Sequence, residues 1–262
     1  MKLTFLGTCA GTEPMPGRRH TSFVVEDKGA LYWFDAGESC SYTAHLANID
    51  LLSTRAIFIS HTHMDHIGGL PNLLWTLRKL SHRTDDPSRR LRGKKIEVFI
   101  PDLEVWSGIL QLLGGTEENF SIDFSLEART YGDGLIFKEG TFSVTAQHNR
   151  HLGKPAASQP WQSFSFRLQG AQSGLVFSGD IASIDELDPL LEDGDTVLVE
   201  TGHHQVEAIC KHLGKGPKIP ARVVFVHHGR AILNDPEGEL LKARVILGDR
   251  VLFAADTMVL EF

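Results

Sequence analysis

Cysteine is scarce. Only Cys9, Cys40 and Cys210 occur in 262 residues, and none forms a CxxC pair. A disulfide framework and a thiolate zinc site are thereby excluded, and a cytoplasmic, reducing home is expected. No apolar run approaches the roughly 20 residues that span a bilayer. Met1 to Thr8 meets a glycine at Gly7 and lacks the apolar centre of a signal peptide, so no membrane partner is expected. Positive charge is also short: 26 Lys and Arg face 33 Asp and Glu, a formal net charge of -7. No broad field exists to hold a nucleic-acid backbone, and no extensive nucleic-acid surface is expected. With 42% hydrophobic and 23% charged residues, disorder is excluded and a substantial core can be buried. A low-complexity linker and a residue-level repeat are both missing, so residues 1–262 read as a single domain.

Strand-like runs bounded by turn residues occur at Lys2 to Thr8, Ser22 to Glu26, Leu31 to Asp35 and Ala56 to Ser60. From Ile67 to Leu80 the leucines at 70, 73, 74, 77 and 80 fall at helical spacing, with Pro71 acceptable in the first turn. Ser81 to Lys95 is basic and aperiodic and reads as an exposed loop. Ile96 to Ile100 reads as a strand, Leu103 to Leu113 as a helix, and Phe120 to Gln147 as several strands. Strands at Leu175 to Ser178, Thr196 to Glu200 and Val223 to Val226 then alternate with helices near Asp185 to Leu190, at Gln205 to Leu213 and at Glu237 to Val245. The runs Val251 to Ala254 and Met258 to Phe262 close the chain. This alternation predicts an α/β fold with sheets covered on their outer faces.

What is abundant is histidine, with thirteen. Four potential metal ligands, His61, His63, Asp65 and His66, follow the apolar β-branched run Ile57-Phe58-Ile59-Ser60 and precede a helix. A strand end aims alternate side chains at one point and the turn after it brings in others, while imidazole and carboxylate suit zinc, manganese or iron. Gly68 and Gly69 permit a tight backbone beside them. His61-x-His63-x-Asp65-His66 resembles the HxHxDH signature of the metallo-β-lactamase superfamily. The opening Leu3-Thr4-Phe5-Leu6-Gly7-Thr8 and the run Trp33-Phe34-Asp35-Ala36-Gly37 are similar to its RNase Z-like phosphodiesterase branch.

That resemblance implies an αββα sandwich, with two mixed sheets packed face to face and helices on both outer faces. It also implies two divalent metal ions, zinc by default with manganese or iron as substitutes. His61 and His63 would serve the first ion, Asp65 and His66 the second. A further histidine, a bridging aspartate and a last histidine would complete the set, each after a strand. Ser178-Gly179-Asp180 supplies the aspartate. His148 and His151 compete for the middle position, where Asn149 two residues earlier favours His151. His227 and His228 compete for the last, with His227 preferred. Asp35 would support the metal loop by hydrogen bonding. Glu200-Thr201-Gly202-His203-His204 places two more histidines in a region where relatives carry them; His204 joins Asp65 as the catalytic candidate. Arg18, Arg19 and His20, beside the turn-rich loop Gly11 to Gly17, could meet substrate.

The implied activity is hydrolysis by a metal-bridging hydroxide, with Asp65 able both to bind metal and to accept a proton. The superfamily hydrolyses several ester classes around one ligand set, so fold alone does not name a substrate. A nucleotide, cyclic nucleotide or short nucleic acid suits the RNase Z-like opening and the acidic charge. The alternatives are a thioester or lactone hydrolase of the glyoxalase II kind, and a metal-binding module without turnover.

Overall fold

The computed structural model describes residues 1–11, 15–116 and 120–262. Its first half contains β1 (Lys2–Gly7), β2 (Ser22–Asp27), β3 (Ala30–Phe34), α1 (Cys40–Leu46), β4 (Thr54–Phe58), α2 (Met64–Ile67), α3 (Leu70–Arg83), β5 (Lys95–Phe99), α4 (Leu103–Thr116) and β6 (Ser125–Arg129). The second half contains β7 (Gly134–Glu139), β8 (Phe142–His148), β9 (Phe164–Gln169), β10 (Gly174–Phe177), β11 (Thr196–Thr201), α5 (Val206–Lys215), β12 (Arg222–His228), α6 (Arg230–Asn234), α7 (Pro236–Leu247), β13 (Val251–Phe253) and β14 (Val259–Glu261). β1 to β6 with β14 build one seven-stranded mixed sheet and β7 to β13 the other, β14 crossing back to pair with β1 at the edge of the first.

Three apolar layers follow from this topology. One lies between the first sheet and its helices and includes Leu70, Leu73, Leu74 and Leu77 of α3, all fully buried. Burial contributes about 1.5–3 kcal/mol for each such side chain. Another lies between the second sheet and α5 and α7, with Ile209, Leu213, Val223 and Leu247. The middle layer joins the two sheets and is rich in phenylalanine. Phe23, Phe34, Phe58 and Phe99 are direct cross-strand partners along β2, β3, β4 and β5, and their rings stack in series at 5.1, 4.9 and 4.8 Å. Phe177 of the other sheet meets Phe23 edge-on at 4.9 Å. Each such pair contributes about 0.5–1.5 kcal/mol beyond its area.

This phenylalanine row lies just before the strand ends that carry the candidate residues. Phe34 immediately precedes Asp35, Phe58 lies three residues before His61, and Phe177 three before Asp180. The carboxyl ends of β3, β4, β8, β10, β11 and β12 all open above it. Open sheets receive ligands at this end of their strands.

Several boundaries differ from the sequence reading, for physical reasons. β4 runs from Thr54 to Phe58, not from Ala56 to Ser60, because Ser60 N bonds the Asp35 carboxylate instead of a neighbouring strand. The α3 helix extends to Arg83, and a 3-10 turn at Pro87–Arg89 shortens the expected loop. That basic stretch lies at the amino ends of β4 and β5, the edge opposite the donors, where Arg89 pairs with Asp50. β9 and α1 were not anticipated. Yet β9 carries a plain strand alternation, its Phe164, Phe166 and Leu168 facing the middle layer. The helix expected near Asp185 to Leu190 is a 3-10 turn at Ile184–Leu187.

Candidate metal centre

His61, His63 and His151 bring one ligand atom each into a first group, and Asp65, His66, Asp180 and His227 form a second, with atoms within 4.8 Å of one another in each. Asp180 stands between them. Its Oδ2 lies 3.8 Å from His61 Nε2, 3.7 Å from His151 Nε2 and 3.4 Å from His227 Nε2, and its Oδ1 lies 3.3 Å from His66 Nε2. Across the second group, Asp65 Oδ2 is 3.1 Å from His227 Nε2 and 3.5 Å from His66 Nε2. His151 Nε2 and His63 Nδ1 are 3.2 Å apart.

These residues fit divalent ions. His61 Nε2, His66 Nε2 and Asp180 Oδ1 are buried and have no hydrogen-bond partner among the described residues. Buried polar atoms left without partners are costly, whereas a cation shared among them satisfies all of them. Electrostatics agree. Burial opposes ionisation of Asp65, but the hydrogen bond from His227 and the nearby His66 imidazole outweigh it and hold the carboxyl well below its usual range. Asp180 is also held low against burial, chiefly by His227 and His66. Burial lowers His61, with His66 adding to the effect. At His66 burial is overcome by Asp180 and Asp35, which raise it well above the usual histidine range. The pocket thus favours positive charge at its centre.

Outer contacts orient the donors. The Asp35 carboxylate accepts from Ser60 N at 2.7 Å, Ser60 Oγ at 2.8 Å and His66 Nδ1 at 2.7 Å, the hydrogen-bonding role expected of it. Asp35 itself has φ 55°, and His227 has φ 49°. Such left-handed backbone costs roughly 1–3 kcal/mol at a non-glycine residue and persists only where the surroundings enforce it. At Gly69 a Cβ would lie 2.2 Å from Gly37 O, so the metal loop packs directly on the turn after β3.

The competing histidines separate clearly. His148 leaves the donor group: its Nδ1 is 2.7 Å from Asp133 Oδ2, and its ring stacks on Trp161 at 4.0 Å. His228 is buried, donates from Nε2 to Ala254 O at 2.8 Å, and is pushed down to about 3 by that burial. Register on β12 shifts between Val226 and His228, which leaves His227 in the irregularity and turns it to the donors.

Of the pair His203 and His204, both of which line the cavity over the donors, His203 lies nearer to Asp180. His203 Nδ1 donates to Glu200 Oε1 at 3.0 Å and lies 3.8 Å from Asp180 Oδ2. The Glu200 hydrogen bond raises its proton affinity. His204 Nε2 instead donates to the Ile181 carbonyl at 2.9 Å. Glu200 was missed in the sequence, although a lone carboxylate ending the apolar strand Thr196–Thr201 was a usable signal. Fully buried, it also accepts from the backbone of Ile181 and His203. Arg18 is committed to Thr8 Oγ1 and Ala254 O, while Arg19 is exposed. Residues 12–14 of the loop expected from Gly11 to Gly17 lie outside the described residues.

A cavity of about 400 Å³ opens over the donors, lined among others by Gly11, Asp65, His203, Gln205, His227 and Arg230. Layered sheets, strand-end donors and this cavity define a metal-dependent hydrolase of the metallo-β-lactamase fold. A family model described as Anti-Pycsar protein Apyc1 matches residues 1–239, and the chain belongs to that family. It is 28% identical over 268 residues to a Ribonuclease Z of Listeria monocytogenes, covering 98% of this chain and 71% of that protein. The fold is similar to that of human tRNase Z, short form, with a TM-score of 0.70, 21% identity, and coverage of 100% of this chain and 99% of the other. It is also similar to the metallo-β-lactamase fold protein YhfI of Bacillus subtilis, with a TM-score of 0.72, 16% identity and 99% coverage of both chains. Among the described residues no helix is long and apolar enough to cross a membrane.

Proposed function

We propose that the two donor groups each hold a divalent ion, with zinc as the default and manganese or iron as substitutes. We further propose that the centre hydrolyses the phosphodiester of a nucleotide, cyclic nucleotide or short nucleic acid. The observation that carries this reading is the place of Asp180, one carboxylate within 4 Å of nitrogens from both groups. Bound ions would supply an activated water at neutral pH and Lewis-acid stabilisation of charge on the phosphoryl oxygens.

The chain's own residues supply positioning and proton transfer. Glu200 fixes the Nδ1 side of His203, which leaves Nε2 as the nitrogen able to pass a proton to a departing oxygen. Asp65 is held ionised and lines the cavity, as a carboxylate that binds a cation must be. In this reading His203 takes the catalytic place first assigned to His204. Gln205 lines the same cavity and offers an amide donor to an anionic substrate. A volume near 400 Å³ lies toward the small end of ligand pockets and suits a nucleotide better than a folded RNA. The net charge of -7 argues the same way. Similarity to Ribonuclease Z supports phosphodiester chemistry over the thioester or lactone alternative.

Metal analysis followed by a panel of bis-p-nitrophenyl phosphate, cyclic nucleotides, a thioester and a lactone tests the proposal. Phosphodiester turnover at least 100-fold above the other esters is expected. Preference for the thioester or lactone would overturn the substrate class, and a metal-replete protein without turnover would overturn hydrolysis itself.

A further inference from the structure

The geometry points to Arg18 as a positioning residue for the group Asp65, His66, Asp180 and His227, acting through Ala254 and Thr8. This rests on reading that group as a metal site. Arg18 Nη1 donates to Ala254 O at 2.6 Å and to Thr8 Oγ1 at 2.7 Å. The same Ala254 carbonyl accepts from His228 Nε2 at 2.8 Å, so one oxygen joins the loop before β2 to the residue after His227. The backbone of His228 is held too: its N donates to Thr8 O at 2.7 Å, and its O accepts from Ala10 N at 3.1 Å.

Two donors of the second group are set from this node. His227 precedes His228 and keeps its left-handed φ of 49° only while the residues around it are held. Gly11 follows Ala10 and lies against Asp65, where a Cβ would come 2.7 Å from the carboxylate carbon. The separation of 3.1 Å between Asp65 Oδ2 and His227 Nε2 is therefore bounded on both sides by segments that meet at His228. Arg18 closes the node from outside, tying Thr8 on one segment to the carbonyl that holds the His228 ring. Among the described residues nothing comparable connects it to His63, or to His61 and His151, which rest on Ser60 and Asn149. Its effect should therefore be selective between the two groups. Contacts behind a ligand typically change metal affinity 10–100-fold when removed.

The experiment titrates Zn²⁺ against a graded chelator on the full chain, with His63→Ala identifying which class of ion belongs to the first group. Wild type is expected to hold two classes. Arg18→Met should weaken the second class by 10–100-fold while the first and the Tm stay near wild type, and Arg18→Lys should recover part of the loss. Thr8→Val removes one of the two bonds and serves if Arg18→Met fails to fold; it should give a smaller loss of the same selectivity. Unchanged affinities, or equal loss in both classes, overturn the inference for Arg18. A wild-type protein with a single class of ion overturns the two-ion reading itself and the inference with it.

Discussion

Asp35 Oδ2 stands 2.7 Å from Nδ1 of His66, and both residues are fully buried. A donor imidazole is thereby oriented by a carboxylate that also holds Ser60, the residue next to His61. Asp35→Asn removes the charge and at least one of these bonds. We expect a 10–100-fold loss of metal affinity, measured by retention against a competing chelator. Retention equal to wild type would show that the pair is dispensable.

Metal removal should abolish hydrolysis, and readdition of a divalent ion should restore it. His63→Ala should lose metal from the first group. Asp180→Asn should deplete both, because its carboxylate faces both sets of nitrogens. Elemental analysis beside bis-p-nitrophenyl phosphate turnover reads both effects. Full turnover by a metal-free variant would sink the mechanism.

The two adjacent histidines should part company. His203→Ala removes the group held by Glu200 above the donors, and kcat should fall about 10²–10⁴-fold, the usual range for general acid–base catalysis. His204→Ala loses a bond to the Ile181 carbonyl and should change kcat less than 10-fold. Steady-state kinetics on one phosphodiester decides between them, and the reverse order would return the role to His204.

Asp256 offers a test away from the donors. Burial raises its pKa above the usual aspartate value near 3.8, against an opposing hydrogen bond from Thr8, and its Oδ2 is buried with no hydrogen-bond partner among the described residues. The folded state thus holds this proton more tightly than the unfolded chain. The stabilisation is complete below pH 3.8 and is lost as pH rises through the folded value. Asp256→Asn keeps the acceptor for Thr8 without the charge, so it should be more stable at pH 7. The gain should vanish in acid. Thermal melts at pH 7 and pH 4 check the sign.

Much of the architecture was legible because its signals are local. The leucine spacing of α3 and the β-branched runs of β4, β11 and β12 state their period in consecutive residues. The phenylalanine row was not legible. Phe23, Phe34, Phe58 and Phe99 become neighbours only through strand register, which no single segment contains. Glu200 was legible only as the lone carboxylate of an apolar strand; its pairing with Ile181 and His203 depends on the turns after β10 and β11.

His61, His63, Asp65 and His66 were set by sequence alone as a cluster, since six consecutive residues at a strand end cannot lie far apart. Tertiary structure separated His151 from His148 and His227 from His228. Alternation along a strand predicts which way a side chain points only while the backbone stays regular. At His227 it does not: the register slips and φ turns positive, so which histidine faces the cluster depends on the hydrogen bonds of His228 to Thr8, Ala10 and Ala254, which the strand itself does not encode.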